Sequence, residues 1–379
     1  MMKPLPVYAL LPLTLTRGKG SMVYDADGTP YLDLYGGHAV ISLGHADEAW
    51  QQAIADHAGS LGFYSNSVHL PVQYAAAEAL GRIAGREDDH VFFVNSGAEA
   101  NENALKLASF VTGRSKIVAF HGAFHGRTSL AVAATGDPKL IAPVNQVHDV
   151  IHLPLNDIDA VHTALASHDV AAVIIEGIQG VGGCAMPTDT FLRELAEACD
   201  RTGTMLILDE VQSGCGRTGQ YFAHQAAGIV PPIVTMAKGI GNGFPVGAMI
   251  VSRSIDVRVG MLGTTFGGNP MACAATLAVV QGIEQHNLMQ RAIERGEQLR
   301  AGLVDTPGIE EIRGRGLMVG LVLDGPCAEA RTALWRDHQV LTGNASDPRV
   351  LRLLPPLSIT EAEIDRAVTA LRTVLEMRS

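Results

Sequence analysis

TMLILDEVQSG, Thr204 to Gly214, decides the fold: Met205 to Leu208 are uninterrupted apolar residues that run straight into Asp209 and Glu210. Near-continuous hydrophobicity over so short a run means burial on both faces, as in a strand inside a mostly parallel sheet covered by helices. The same reading applies to Lys116–Phe120, Ala171–Ile175, Ile233–Met236 and Val246–Val251. Between them, Asp157 to Ala166 and Asp189 to Asp200 carry helical spacing. The pattern predicts an open α/β sheet, whose ligands sit beyond the carboxyl ends of its strands. Asp209 stands at such an end.

The flanks read differently. SMVYDADGTPYLDL, Ser21 to Leu34, is a hairpin around Asp27-Gly28. Asn269-Pro270 resembles an N-cap followed by proline at the first helical position. Beyond it lie helical patterns at about 271–284 and 287–303, strands near 310–313 and 317–323, a helix near 327–338, a strand at 350–354 and a helix from Glu361. We therefore expect a large α/β domain over 51–269 and a smaller α+β domain built from 1–50 and 270–379.

Composition removes several functions. Thirty-nine acidic residues against 28 basic ones give a net charge of −11, and the arginines form no run, so no nucleic-acid partner is expected. No apolar run reaches the roughly 18 residues of a membrane span. Prolines break the start, MMKPLPVYALLPLTLTRGKG, and we read no signal peptide there. The five cysteines are widely spaced and never form C-x-x-C, which speaks against disulfides or zinc and for a reducing cytoplasm. His121 and His125 are four apart, but Gly122 and Gly126 make a metal-binding helix face a poor reading, and no metal is expected.

Three segments carry chemistry. In VFFVNSGAEANENALKLASF, 91–110, an apolar run ends at Asn95-Ser96-Gly97 and a helix follows. Ser96 and Glu99 have capping-box spacing; a helix start with Gly97 and free backbone N–H groups is also a phosphate seat, although most helix starts of this kind only cap. Asp209 is either a fixed anion for a cationic ligand atom or a strand-end group bonded to nearby amides. In IVTMAKGIGNGFPVGA, 233–248, Lys238 follows apolar residues and precedes a glycine run. Partial burial there would lower its pKa and make it an amine nucleophile and base; the alternative is a solvated turn lysine. AFHGRTSLA, 123–131, and GTTFGGNPMAC, 263–273, add a histidine, an arginine and threonine hydroxyls in loops.

Taken in order, NSGAEAN, FHGRT, LDEVQSGCGRTG, AKGIGNGFPVGA, TTFGGNP and RLLPPL resemble the class III (ornithine-type) aminotransferases. These are fold-type I transferases that use pyridoxal 5′-phosphate, and the likeness runs over nearly the whole chain. It implies that Lys238 forms the Schiff base and shuttles a proton, while Asp209 pairs with the pyridine nitrogen. It implies that Ser96, Gly97 and Ala98 hold the phosphate, Phe124 stacks on the ring and Gln212 lies near the phenolic oxygen. Thr265 would reach the phosphate from a neighbouring subunit of a homodimer. Arg352 would clamp the α-carboxylate of glutamate or 2-oxoglutarate, Arg127 the carboxylate of an acylated ornithine, with Tyr8 and Tyr64 near the substrate. The implied reaction moves the δ-amino group of an N-acylated ornithine, such as N-acetylornithine, to 2-oxoglutarate, a step of arginine biosynthesis. N-succinylornithine, ornithine, acyl-lysine or 4-aminobutyrate are alternative donors, and a silent dimeric paralogue is a reading of another kind.

One departure stands out. Where most relatives carry E-P-I-Q-G-E-G-G, this chain reads Glu176-Gly-Ile-Gln-Gly-Val181-Gly-Gly183. The second glutamate of that motif is thought to neutralise the arginine equivalent to Arg352, which Val181 cannot do. We expect the loss to alter how the site switches substrates and to admit an acyl group that itself bears a carboxylate.

Overall fold

The computed structural model describes residues 2–377. At its centre is a seven-stranded sheet in the order His90–Val94, Gly247–Val251, Ile233–Met236, Met205–Asp209, Val170–Glu176, Lys116–Phe120, Val150–Leu153. All neighbours run parallel except Gly247–Val251, which is antiparallel to both strands beside it. The sequence predicts this architecture for the reason given above: every residue of Val170–Glu176 is buried. The helix Gly97–Thr112 crosses the sheet, packing on five of its strands and burying Ala100, Ala104, Leu105 and Ala108.

Val150–Leu153 is an edge strand absent from the sequence reading. Three of its four residues are only half-buried, so it lacks the apolar run that marks its neighbours. The predicted hairpin is present as Met22–Asp25 and Pro30–Asp33, and the exposed strand Leu15–Lys19 adds to it. The helix Pro270–Gln285 starts as read, with the Asn269 side chain accepting from the Ala272 N–H and proline in the first turn.

The C-terminal part forms an antiparallel sheet in the order Ile309–Arg315, Met318–Leu323, Val350–Leu353, Gly343–Asn344. The N-terminal hairpin is stitched to this part of the chain. Leu32 pairs with Val340, and the Leu354 N–H donates to the Leu34 carbonyl at 2.7 Å. That stitching places Tyr35 to Ala39 beside Arg352, at the carboxyl ends of the central strands.

Candidate active site

Three adjacent central strands end together. Glu176 lies opposite Asp209, and Asp209 opposite Thr235, in the parallel register. Asp209 is buried, so its charge needs partners. Oδ2 accepts from Asn101 Nδ2 at 2.7 Å and from His125 Nδ1 at 2.8 Å, and Oδ1 accepts from the Val211 N–H at 3.0 Å. Asn101 is itself fixed, its Oδ1 accepting from Thr235 Oγ1 at 2.6 Å. Glu176 accepts from the Phe124 and Gly180 N–H groups, both at 2.9 Å. Burial, and then the nearby Asp209, push the Glu176 carboxyl up to about 7.

Lys238 follows the strand Ile233–Met236 and opens a single 3-10 turn, Lys238–Gly241. Its backbone is left-handed, with φ +49°, which a lysine adopts only when its surroundings impose it. Among the described residues its amine has no hydrogen-bond or ion-pair partner. Desolvation lowers its pKa, Arg352 adds to the effect, and Asp209 and Glu176 oppose it.

The lysine stands where two cavities meet. One, of about 400 Å³, is lined by Ser96, Gly97, Ala98, Phe124, Asp209 and Lys238. The other, of about 710 Å³, shares Phe124, Arg127 and Lys238 and adds Gln212, Val181, Tyr8 and Arg352. Ser96 caps the helix Gly97–Thr112 by accepting from the Glu99 N–H at 3.1 Å, leaving the Gly97 and Ala98 N–H groups open at the first cavity. Gly97 is required by close packing, since a Cβ there would lie 2.6 Å from Val211 Cγ1. In the second cavity Arg352 is buried, and all its acceptors are uncharged. Nε donates to the Asn344 carbonyl at 2.6 Å, and Nη1 donates to the Gly180 carbonyl at 2.9 Å and to Gln212 Oε1 at 3.1 Å. Arg127 is exposed and makes no hydrogen bond or ion pair among the described residues.

The structure thus gathers ten of the twelve residues singled out in the sequence around these two cavities. Thr265 and Tyr64 line neither; both are exposed, on segments joined by the Phe63–Phe266 ring contact at 5.4 Å. Asn101, His125, Glu176, Tyr35 and His38 were not assigned roles from the sequence. For Asn101 a signal existed: it is the polar residue on the otherwise apolar inward face of its helix.

A parallel α/β sheet with a desolvated lysine and a bonded aspartate at its strand ends, beside an open helix start, defines a pyridoxal-phosphate transferase. The donor set suits that group: an anion for the ring nitrogen, an amine for the aldehyde and amides for the phosphate. The family model described as "Aminotransferase class-III" matches residues 6–375, and the chain belongs to that family of pyridoxal-phosphate-dependent aminotransferases. It is similar to the acetylornithine aminotransferase of Mycolicibacterium smegmatis, 44% identical over 374 residues, covering 97% of this chain and 95% of that protein. Among solved structures it is similar to the ornithine aminotransferase of Toxoplasma gondii ME49, with a TM-score of 0.92, 28% identity and coverage of 99% and 93%. The acetylornithine aminotransferase of Elizabethkingia anophelis gives a TM-score of 0.85, with 27% identity and coverage of 99% and 96%. No helix among the described residues is long and apolar enough to cross a membrane.

Proposed function

We propose that the chain transfers the δ-amino group of N-acetylornithine to 2-oxoglutarate, giving N-acetylglutamate semialdehyde and glutamate, within arginine biosynthesis. The observation that carries this reading is a cavity holding Lys238 and two arginines, Arg127 and Arg352, neither of which meets a carboxylate among the described residues. Such a cavity suits one substrate with two carboxylates and another with a carboxylate far from its reacting amine. The relatives named acetylornithine aminotransferase, 40–44% identical over nearly the whole chain, support the choice of donor.

Pyridoxal phosphate, when bound, supplies an aldehyde for the amino group and a ring that takes up the electrons freed by C–H cleavage. Lys238 would hold the aldehyde carbon at rest; once displaced, its desolvated amine would move a proton from the donor's δ-carbon to the cofactor carbon in the first half-reaction, and from that carbon to the acceptor's α-carbon in the second. Asp209, held in place by Asn101, His125 and the Val211 amide, would pair with the ring nitrogen and keep a proton on it. Gly97 and Ala98 offer amides to the phosphate, with Ser96 fixing the helix start. Phe124, anchored through its N–H on Glu176, would cover the ring face, and Gln212 would lie by the phenolic oxygen. Arg352 reads the α-carboxylate of the acceptor, Arg127 that of the donor, and Tyr8 closes the outer wall.

The same reading includes a homodimer. Leu61, Phe63, Tyr64, Val68, Tyr74 and Phe266 are exposed apolar residues on segments joined by the Phe63–Phe266 ring contact, and such a cluster suits a partner surface. Thr265 and Tyr64 lie on it, outside their own chain's cavities, where they can complete a partner's site. The hairpin's pairing with Val340 supports a small domain of 1–50 and 270–379 against a large one of 51–269. Five buried, free cysteines suit the reducing cytoplasm.

The test is a donor panel with 2-oxoglutarate, run on wild type and Lys238→Ala holoenzyme. N-acetylornithine should be among the best donors, and the variant should lose turnover and the borohydride-sensitive visible band together. Turnover of ornithine or 4-aminobutyrate far above the acylated donor would overturn the assignment.

A further inference from the structure

Gly36, Gly37, His38 and Ala39 have φ of +55°, +57°, +69° and +63°, a complete left-handed turn that includes two non-glycine residues. L-residues hold that conformation only where the surroundings fix it. Here the Tyr35 and Gly36 N–H groups both donate to Asp33 Oδ1, at 2.9 and 2.8 Å, and Gln212 Nε2 donates to the His38 carbonyl at 3.0 Å. The turn delivers the His38 ring to the substrate-side cavity, hydrogen-bonded through Nδ1 to the Tyr35 hydroxyl.

Tyr35 belongs to the wall that carries Arg352. Its ring lies on Gly343, where a Cβ would come within 2.1 Å of Tyr35 Cε2, and Gly343 is the sheet partner of Arg352. Arg352 Nη2 donates to the Tyr35 hydroxyl at 3.5 Å. A guanidinium has no acceptor, so the hydroxyl accepts from Arg352 and keeps its own proton to give to His38 Nδ1. In the arrangement we assign, that proton goes to Nδ1, the imidazole proton sits on Nε2 and the ring is uncharged. Desolvation, then the Arg352 and Lys238 cations, hold the His38 pKa at about 4. Every acceptor of Arg352 is therefore neutral, and Val181, on the same cavity wall, brings no charge.

We infer that Tyr35 and His38 are positioning residues for Arg352, an uncharged relay that fixes the guanidinium edge while leaving its whole positive charge to an incoming dicarboxylate. The inference rests on the proposed role of Arg352 in reading the acceptor. A carboxylate of the protein in the same place would orient the guanidinium equally well but would have to be displaced by each acceptor molecule. The relay orients it without that competition.

The experiment titrates glutarate, a dicarboxylate without the reactive carbonyl, into holoenzyme and follows the shift of the visible cofactor band. Tyr35→Phe removes the hydroxyl, and His38→Ala removes its acceptor. His38→Asn restores an acceptor near the Nδ1 position and tolerates the left-handed backbone. Tyr35→Phe and His38→Ala should raise the glutarate Kd about tenfold, the usual effect of one hydrogen bond to a charged group, with His38→Asn within about threefold of wild type. In turnover, the KM for 2-oxoglutarate should rise far more than kcat falls. A Tyr35→Phe enzyme that binds glutarate as wild type does overturns the relay, and this variant decides alone if His38→Ala does not fold. An equal loss in kcat and KM, with no rescue by His38→Asn, overturns it too. Wild type that binds glutarate but does not turn over N-acetylornithine would sink the proposed donor and leave the relay standing; wild type that does not bind glutarate sinks the relay.

Discussion

Asn101 is the most demanding test of how the site is held. Its side chain is buried and makes three bonds: Nδ2 donates to Asp209 Oδ2 and to the His125 carbonyl, both at 2.7 Å, and Oδ1 accepts from Thr235 Oγ1 at 2.6 Å. Asn101→Ala takes one donor from a buried carboxylate, worth about 1.5–3 kcal/mol, and strands the Thr235 hydroxyl, which is 0% exposed, at about 1–3 kcal/mol more. Allowing for water entering the space, we expect a loss of about 3–5 kcal/mol in apoenzyme stability and weaker cofactor binding through a less ordered Asp209. Asn101→Asp keeps the shape but sets a second carboxylate against Asp209, so one of the two must carry a proton. The folded pKa of that acid is raised above its unfolded value near 4, so the fold binds the extra proton and stability falls as pH rises through the interval between them. Urea unfolding of apoenzyme at one protein concentration reads both variants. The Asp variant should be nearest wild type at pH 5 and furthest at pH 8, while the Ala deficit stays flat. A pH-independent Asp deficit, or an Ala deficit below about 1 kcal/mol, would refute the proposed packing of Asn101 against Asp209.

Val181→Glu puts a carboxylate into the cavity of Arg352 and should raise the KM for 2-oxoglutarate by roughly tenfold, the effect of one displaced charge-assisted bond. In wild type, N-succinylornithine should compete with N-acetylornithine as donor; a strong steady-state preference for the acetyl compound counts against the expected effect of Val181. Arg127→Met should raise the KM for the acylated donor about tenfold or more and leave the KM for 2-oxoglutarate less affected, as read from separate substrate titrations. Glu176, with its carboxyl raised from 4.5 to about 7, favours the fold fully below 4.5 and less and less as pH rises through about 7. Thermal melts should show the Tm of Glu176→Gln improving relative to wild type between pH 4.5 and 7.5; parallel curves would mean that Glu176 titrates as it does in the unfolded chain.

Asp209 and Lys238 were legible because a charged residue directly after a buried strand contradicts its local pattern, and that contradiction is visible in a dozen residues. Glu176 has the same signature, six apolar residues and then a carboxylate, yet by itself the sequence does not say whether such a group faces ligand or backbone amides. Here it faces the amides of Phe124 and Gly180. The role of Asn101 depends on Thr235, 134 residues away, and Tyr35 meets Arg352 across 317 residues. Contacts of that range leave no periodicity to read. The edge strand Val150–Leu153 escaped for a different reason: half-burial gives it neither a continuous nor an alternating pattern.

The left-handed turn Gly36–Ala39 and the 3-10 turn bounded by the left-handed Lys238 and Asn242 explain each other. Each non-glycine residue in that conformation costs about 1–2 kcal/mol, and neither turn is a good isolated structure. Asn242, itself at φ +46°, ends the lysine turn, and its Oδ1 accepts from the Ser42 and Leu43 N–H groups at 2.9 and 3.0 Å. In return Ser42 Oγ donates to the Gly239 carbonyl at 2.6 Å, and Asn242 Nδ2 donates to the Gly44 carbonyl at 3.1 Å. Four buried bonds, each worth about 0.5–1.5 kcal/mol net, are of the size needed to offset the strain in both turns. The segment that follows His38 is therefore the brace of the loop that holds Lys238. The Arg352 wall of the cavity and Lys238 are set by one braced unit, so under the proposed roles a substrate seated on Arg352 would meet Lys238 in a fixed place.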